Sequence, residues 1–292
     1  MNGPNEKLWA EIGVEVNNSL SSREMLYKAK LDWEVSKIPS QRPKSHANQE
    51  TFRFYKAYFD AGEADIEVVG SLDGARIIWA LARLKEDFKL PGNDEVKGYI
   101  LLASRHEDRE KIEVQFLTLR TSCNSMLKIP TKARPTVKNS FRRSFKSTLP
   151  FLSESSLELD EEMIQKIKNT VELGRKAITG HANDAQQLAQ KKVDEQIAEN
   201  YMREVFKPDT SKENGEESEQ QAQANTQAAI DAIGTAPGQE LESAQMTAWG
   251  LLTAVTYTAD QIGKTQDSRL RQSWFGANAK IKKRALDLAL KL

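Results

Sequence analysis

The sequence predicts an α+β protein. A central antiparallel sheet of three to five strands is flanked by helices, one of them long, with further helices at the C-terminus. Three observations carry this. Residues 64–127 read as successive strands: β-rich runs at 65–69 and 77–81 flank Asp73-Gly74, and runs at 96–104 and 112–121 lie either side of the charged turn 106–110. An Asp-Gly pair between such runs predicts a hairpin, because a type I′ turn needs positive φ at both central residues. Apolar residues then recur at helical spacing through 161–206 and again after residue 243.

The elements follow in chain order. Ile12, Val14 and Val16 alternate as a short strand within residues 8–20, and Ser21 with Glu24 forms a capping-box pattern opening a helix through Lys30. Residues 32–38 alternate with period two and are stopped by Pro39, so they read as a strand; 40–47 is a polar loop. A helix over 49–60 puts Phe52, Tyr55 and Phe59 on one face, with Gly62 at its C-terminal end. Pro130 and Pro135 exclude a continuous helix after the sheet.

Asp160 caps a long helical stretch, 161–206, with breaks expected near Gly174 and Gly180. Its apolar stripe (Ile164, Ile167, Val171, then Val193, Ile197, Tyr201, Val205) is narrow and suits packing along another helix, in this chain or in a partner. Residues 207–241 carry Pro208, Gly215, Pro237, Gly238 and few large apolar side chains, so they read as a mobile linker. Ser243 is expected to cap a helix bearing Met246, Trp249, Leu252, Val255 and Tyr257, ended by Gly263; a last helix spans 278–292 with Ile281, Ala285 and Leu288 on one side. The resulting division is a sheet domain at 1–150, a helical segment at 151–206, the linker, and C-terminal helices at 242–292 packing back on the core.

Lys+Arg and Asp+Glu both number 42, so the formal net charge is zero and local asymmetry matters more than the sum. Cys123 is the only cysteine, which excludes an intrachain disulfide and a cysteine-cluster metal site and fits a reducing compartment. His46, His106 and His181 show no ligand spacing and read as surface or turn residues. No apolar run approaches the roughly 20 residues of a membrane span, and the first residues lack a signal-peptide pattern. The expectation is a cytoplasmic protein with no membrane association.

The sharpest functional signal lies after the sheet. No acidic residue occurs between Glu113 and Glu154, while Arg120, Lys128, Lys132, Arg134, Lys138, Arg142, Arg143 and Lys146 are interleaved with Phe141 and Phe145. Cations that release counterions, beside aromatic faces on which bases stack, are what a single nucleic-acid strand requires. The basic start of the last helix, Lys280, Lys282, Lys283 and Arg284, would extend the same surface if the fold brought it there. A solvated charged face balanced by the acidic run 154–162 competes with this reading.

Catalysis has less support. Cys123-Asn124 has no histidine nearby in sequence, and a lone cysteine is more often a small apolar filler. Asp65, Glu67 and Asp73 suggest a metal-dependent nuclease, but alternation with Ile66 and Val68 gives a solvated strand face. No phosphate-loop or dinucleotide fingerprint is present. Neither an enzyme nor a cofactor is expected, and Trp33, Trp79, Trp249 and Trp274 read as core.

Several blocks carry a family resemblance: 31–35 followed by Pro39, the hairpin 70–84, the segment 119–127 (Leu-Arg-Thr-Ser-Cys-Asn-Ser-Met-Leu), 246–256 around Trp249, and Trp274-Phe275-Gly276 with Lys280 and Ala285-Leu286. In these the chain resembles the phage/plasmid-like proteins, a family of unknown function carried by bacteriophages and conjugative plasmids. It departs from them in having no histidine in the segment after Leu127 and in its 207–241 stretch. The resemblance implies a mobile-element origin and supplies no catalytic residues. The order helix, strands, basic segment also resembles the core of phage single-strand annealing proteins. The expected function is nucleic-acid binding in mobile-element DNA metabolism, by single-strand binding or annealing, in a homo-oligomer. The alternative is a protein-binding factor that inhibits a host defence complex or assembles with host or phage proteins.

Overall fold

A computed structural model describes residues 7–32, 44–105, 108–131, 136–138, 159–208 and 215–292. Its centre is an antiparallel sheet of eight strands among the described residues, larger than the expected three to five. Strands β1 (Gly13–Glu15), β2 (Asp65–Leu72), β3 (Ile77–Arg83), β5 (Asp94–Arg105), β6 (Asp108–Arg120) and β7 (Ser125–Lys128) lie side by side in that order. Two short strands complete it: β4 (Phe88–Leu90) pairs with β5, and β8 (Thr136–Lys138) pairs with β6 beyond the end of β7. Helices α1 (Ser22–Lys28) and α2 (Lys44–Gly62) connect β1 to β2. After the sheet come α3 (Glu161–Gln190), α4 (Glu195–Phe206), α5 (Gly215–Thr235), α6 (Ala248–Gln261), α7 (Gln266–Phe275) and α8 (Ala277–Ala289).

Both sheet faces are covered, which is why β3 is a continuous apolar run rather than an alternating one. On one face Ile66, Ile78, Ile100, Val114 and Phe116 meet α2, α3 and α6 in the main core. On the other, Val68, Trp79, Leu101 and Leu117 are covered by Trp9 and by Leu270 and Trp274 of α7. Space for the Trp79 ring comes from two facing glycines: a Cβ on Gly70 would meet it at 2.5 Å, and one on Gly13 at 3.0 Å.

Local signals hold where short-range chemistry decides. The Ser21 side chain accepts from the Glu24 amide while the Glu24 carboxylate accepts from the Ser21 amide, a complete capping box. In α2, Phe52, Tyr55 and Phe59 are buried together with Phe54 and Tyr58. The β2–β3 turn is longer than two residues, since Leu72 pairs with Ile77. Its type I′-like pair is Gly74-Ala75, at φ 61° and 65°, closed by the Arg76 amide donating to the Asp73 carbonyl. The charged turn also shrinks, because β6 already begins at Asp108. The strand expected at 32–38 lies, apart from Asp32, outside the described residues, as does Trp33.

Three larger expectations are corrected. The long helix is unbroken at Gly174 and Gly180; its break is at 191–194, where an extended link pairs with 246–248 through Val193 and Ala248 amides. Asp194 then caps α4. The supposed linker contains the 21-residue helix α5. Its Ala229 and Ala232 are buried, as is Ala236 just beyond it: alanine is the best helix former, and small side chains let helices approach closely, so few large apolar residues are needed. The cap of α6 is Thr247, which accepts from the Gly250 amide; Ser243 is used elsewhere.

Of the two settings expected for the stripe, another helix of the same chain or a partner, the first accounts for most of it. Val193, Tyr201 and Val205 are buried, the Tyr201 hydroxyl donates to the Ala285 carbonyl, and Ile197 is exposed. His181 is likewise no surface residue. It sits in α3 between the rings of Phe88 and Trp249, with no hydrogen-bond partner at either nitrogen. Burial pulls its pKa down from 6.5 to about 4.

Two predictions follow from this packing. A Cβ on Gly174 would lie 2.2 Å from the Phe116 ring, whereas one on Gly180 meets nothing within 4 Å. Helix propensity favours alanine by about 1 kcal/mol at either site, but overpacking costs about 1–3 kcal/mol. Urea unfolding should therefore show Gly180→Ala stabilised and Gly174→Ala destabilised. For His181, the unfolded chain takes up its proton near pH 6.5 while the folded one resists to about pH 4. Stability should fall by up to about 3 kcal/mol as pH drops through that window, and His181→Leu should flatten that part of the pH profile.

Candidate functional site

Two buried ion pairs fasten the C-terminal helices to the last strands. Arg120, ending β6, sets its Nε 2.9 Å from both carboxylate oxygens of Asp94, at the start of β5, and donates from Nη2 to the Gly238 carbonyl at 2.6 Å. Asp94 also accepts from Ser243 Oγ at 2.7 Å and Trp249 Nε1 at 3.0 Å. This is the use of Ser243, and it pins residues 238–249 against the sheet.

The second pair completes the edge of β7. Lys282 Nζ donates to the Met126 carbonyl at 2.6 Å, to Asp260 Oδ1 at 2.5 Å and to Ser273 Oγ at 2.7 Å. Asp260 Oδ2 accepts the Met126 amide at 3.1 Å. Burial lowers the Lys282 pKa, and the Asp260 charge opposes that shift.

Both cations were expected to contact nucleic acid, and the structure overturns that: Arg120 and Lys282 are 3% and 2% exposed. A basic run shows no nearby acid in sequence, but the partners stand 26 and 22 residues away. Arg284 is exposed yet occupied, donating to the Val205 and Lys207 carbonyls at the end of α4. Lys283 pairs with Asp287 one turn on, Lys280 is exposed, and Lys128 is partly exposed, 3.6 Å from Glu113. Lys138 ends β8, its side chain outside the described residues; Lys132, Arg134, Phe141, Arg142, Arg143, Phe145 and Lys146 lie outside them entirely.

Lys282 anchors α8, the helix that also carries Lys280 and Lys283, on the strand that ends at Lys128. Because β8 continues along the same side of β6, the described part of the acid-free segment follows this sheet edge.

The potential catalytic groups do not converge. Cys123 is buried with Sγ 3.0 Å from Ser125 Oγ, Asp65 pairs with Lys85, and Asp73 lies at the hairpin beside Arg76. Among the described residues no three His, Cys, Asp or Glu side chains are grouped to hold a metal.

Sequence reasoning missed a polar groove of about 450 Å³ on the second face of the sheet, between the N-terminal segment and the ends of β3, β5 and β6. It was hidden by a β-bulge: the register shifts between Ile66 and Val68, and the extra residue, Glu67, lines the groove beside Val68 instead of alternating with it. Glu67 accepts the Tyr99 hydroxyl at 2.9 Å, and the Arg83 guanidinium, also bound to Asp87, lies over the Tyr99 ring. Burial and the Glu67 charge both raise the Tyr99 pKa, so the phenol remains a donor.

The two clamps make a testable contrast. Lys282→Met strands Asp260 as a buried charge and should cost about 3–5 kcal/mol in urea unfolding. Lys280→Met, two residues away in solvent, should change stability by less than about 0.5 kcal/mol.

Among the described residues no helix is long and apolar enough to cross a membrane. No curated protein and no solved structure matches the chain. One family model does match, over residues 37–150 and 158–283, and it spans both clamps. The chain therefore belongs to the family described as a domain of unknown function, DUF932.

Proposed function

We propose that this protein binds nucleic acid in the service of a phage or plasmid, by binding or annealing single strands along the outer edge of its sheet. The observation that supports this reading is the docking of α8 on β7 through Lys282, which ties the helix bearing the exposed Lys280 and Lys283 to the strand that leads into Lys128 and the cations after it. With Arg120 and Lys282 withdrawn into the core, the phosphate track consists of Lys128, Lys280, Lys283 and the cations that follow in sequence to Lys146. Phe141 and Phe145 supply faces for base stacking. The mobile-element assignment rests on the sequence blocks that resemble the phage/plasmid-like proteins.

The alternative, a protein-binding factor acting through the stripe on α4, loses most of its surface because Val193 and Tyr201 face inward.

The test is binding to labelled single- and double-stranded oligonucleotides across a salt series. Single strands should bind more tightly, and log K should fall with log salt by about 0.7 per neutralised phosphate. Lys280→Glu/Lys283→Glu and Arg142→Glu/Arg143→Glu should each weaken binding and make that slope shallower, without shifting the unfolding midpoint. Absence of binding at low salt, or variants that bind like the parent, would overturn the reading.

A further inference from the structure

We infer that the groove beside Glu67 is a binding site for a nucleoside monophosphate unit, either free or as the phosphorylated end of a strand. This does not rest on the edge reading: the groove uses other residues, on the face of the sheet. Three features define its occupant. Its volume, about 450 Å³, lies in the range of small-molecule sites. Two ammonium groups, Lys7 and Lys97, stand at its rim, each 3.7 Å from a carboxylate (Glu15 and Glu95) and so outside hydrogen-bond reach of it. Glu67, also in its lining, holds one oxygen on the Tyr99 hydroxyl, while its other oxygen is 3.6 Å from Arg83.

An occupant that fits must bring an anionic oxygen to the lysines and N–H or O–H donors to Glu67. A nucleotide has both, as phosphate at one end and base or ribose at the other. Val16, Val68 and Leu119 give the apolar wall for its flat part, and Thr121 and Asn124 add polar groups at the β6–β7 turn. Other classes fit less well. A polyphosphate would meet Glu15 and Glu67, and a divalent cation would meet Lys7, Arg83 and Lys97 in the same space. An apolar ligand would strip water from five charged side chains. An extended peptide needs a free strand edge, and this is a sheet face.

Titration calorimetry on the full chain, with AMP, GMP, CMP and UMP as probes, tests the site. At least one should bind saturably, one to one, and more tightly than its nucleoside. Lys97→Ala should weaken it about tenfold, as expected for one charge-assisted hydrogen bond, and should erase the advantage over the nucleoside. Glu67→Gln should weaken nucleotide and nucleoside alike. Both side chains are about one-third exposed, so unchanged unfolding midpoints are expected and would certify the comparison. A 5′-phosphorylated dinucleotide, set against its 5′-hydroxyl form, separates the sources. If it binds and the free nucleotides do not, the site reads strand ends; the reverse result assigns a free nucleotide. No saturable heat with any probe at millimolar concentration, or binding indifferent to Lys97→Ala and Glu67→Gln, overturns the site. Lys280→Glu/Lys283→Glu should leave these heats unchanged, so failure here and failure of the edge reading are distinguishable.

Discussion

The architecture depends on how the last full strand of the sheet is finished. On the side away from β6, the Met126 amide and carbonyl are taken by Asp260 and Lys282, an ion pair standing where a further strand would stand. An open edge invites pairing with another chain, and an isolated buried charge costs several kcal/mol. Here each problem answers the other. The three protons of Lys282 have three acceptors, and both Asp260 oxygens have donors, so the charges are solvated by protein. A buried pair of this kind contributes little over an apolar contact in net stability; what it fixes is position. It sets α6 and α8 against β7, and everything said about Lys280 and Lys283 depends on that placement.

The Arg120–Asp94 pair does the same one residue earlier, where Arg120 lies opposite Ser125 at the start of β7. It holds Gly238, Ser243 and Trp249 in one hydrogen-bonded cluster, and Ser125 Oγ lies 3.3 Å from Thr256 Oγ1 between the two clamps. Two of the sequence blocks that mark the family resemblance, 119–127 and 246–256, are thus each other's packing partners. Their residues are explained by architecture, and a reactive centre is not needed to account for them.

What could be read in the sequence divides along this line. The capping box at Ser21, the aromatic face of α2 and the strands through residue 121 depend on neighbours within a few positions, and local periodicity reveals them. The clamps depend on residues brought from 22 to 156 positions away, so Arg120 and Lys282 looked like surface cations. Helix α5 was missed for a different reason. Counting large apolar residues underestimates a helix that buries alanines, whose propensity is high and whose small size permits close approach. Glu67 was misplaced because strict alternation cannot anticipate a bulge.

The zero net charge conceals a division of labour. Much of the charge on the helices is spent in pairs one turn apart, such as Lys56–Asp60, Lys176–Glu172 and Arg203–Glu199, each worth about 0.3–0.5 kcal/mol and locally neutral. The clamps remove two more pairs from the surface. Within the acid-free stretch, the cations that remain after Arg120 is withdrawn begin at Lys128, where β7 ends. The opposite end of β7 follows the turn that lends Thr121 and Asn124 to the groove. One four-residue strand, held by the two clamps, therefore runs from the groove's turn to Lys128. At about 3.4 Å per residue, β7 sets Asn124 and Lys128 little more than a dozen ångströms apart along the sheet, the separation that a strand bound under both proposals would bridge.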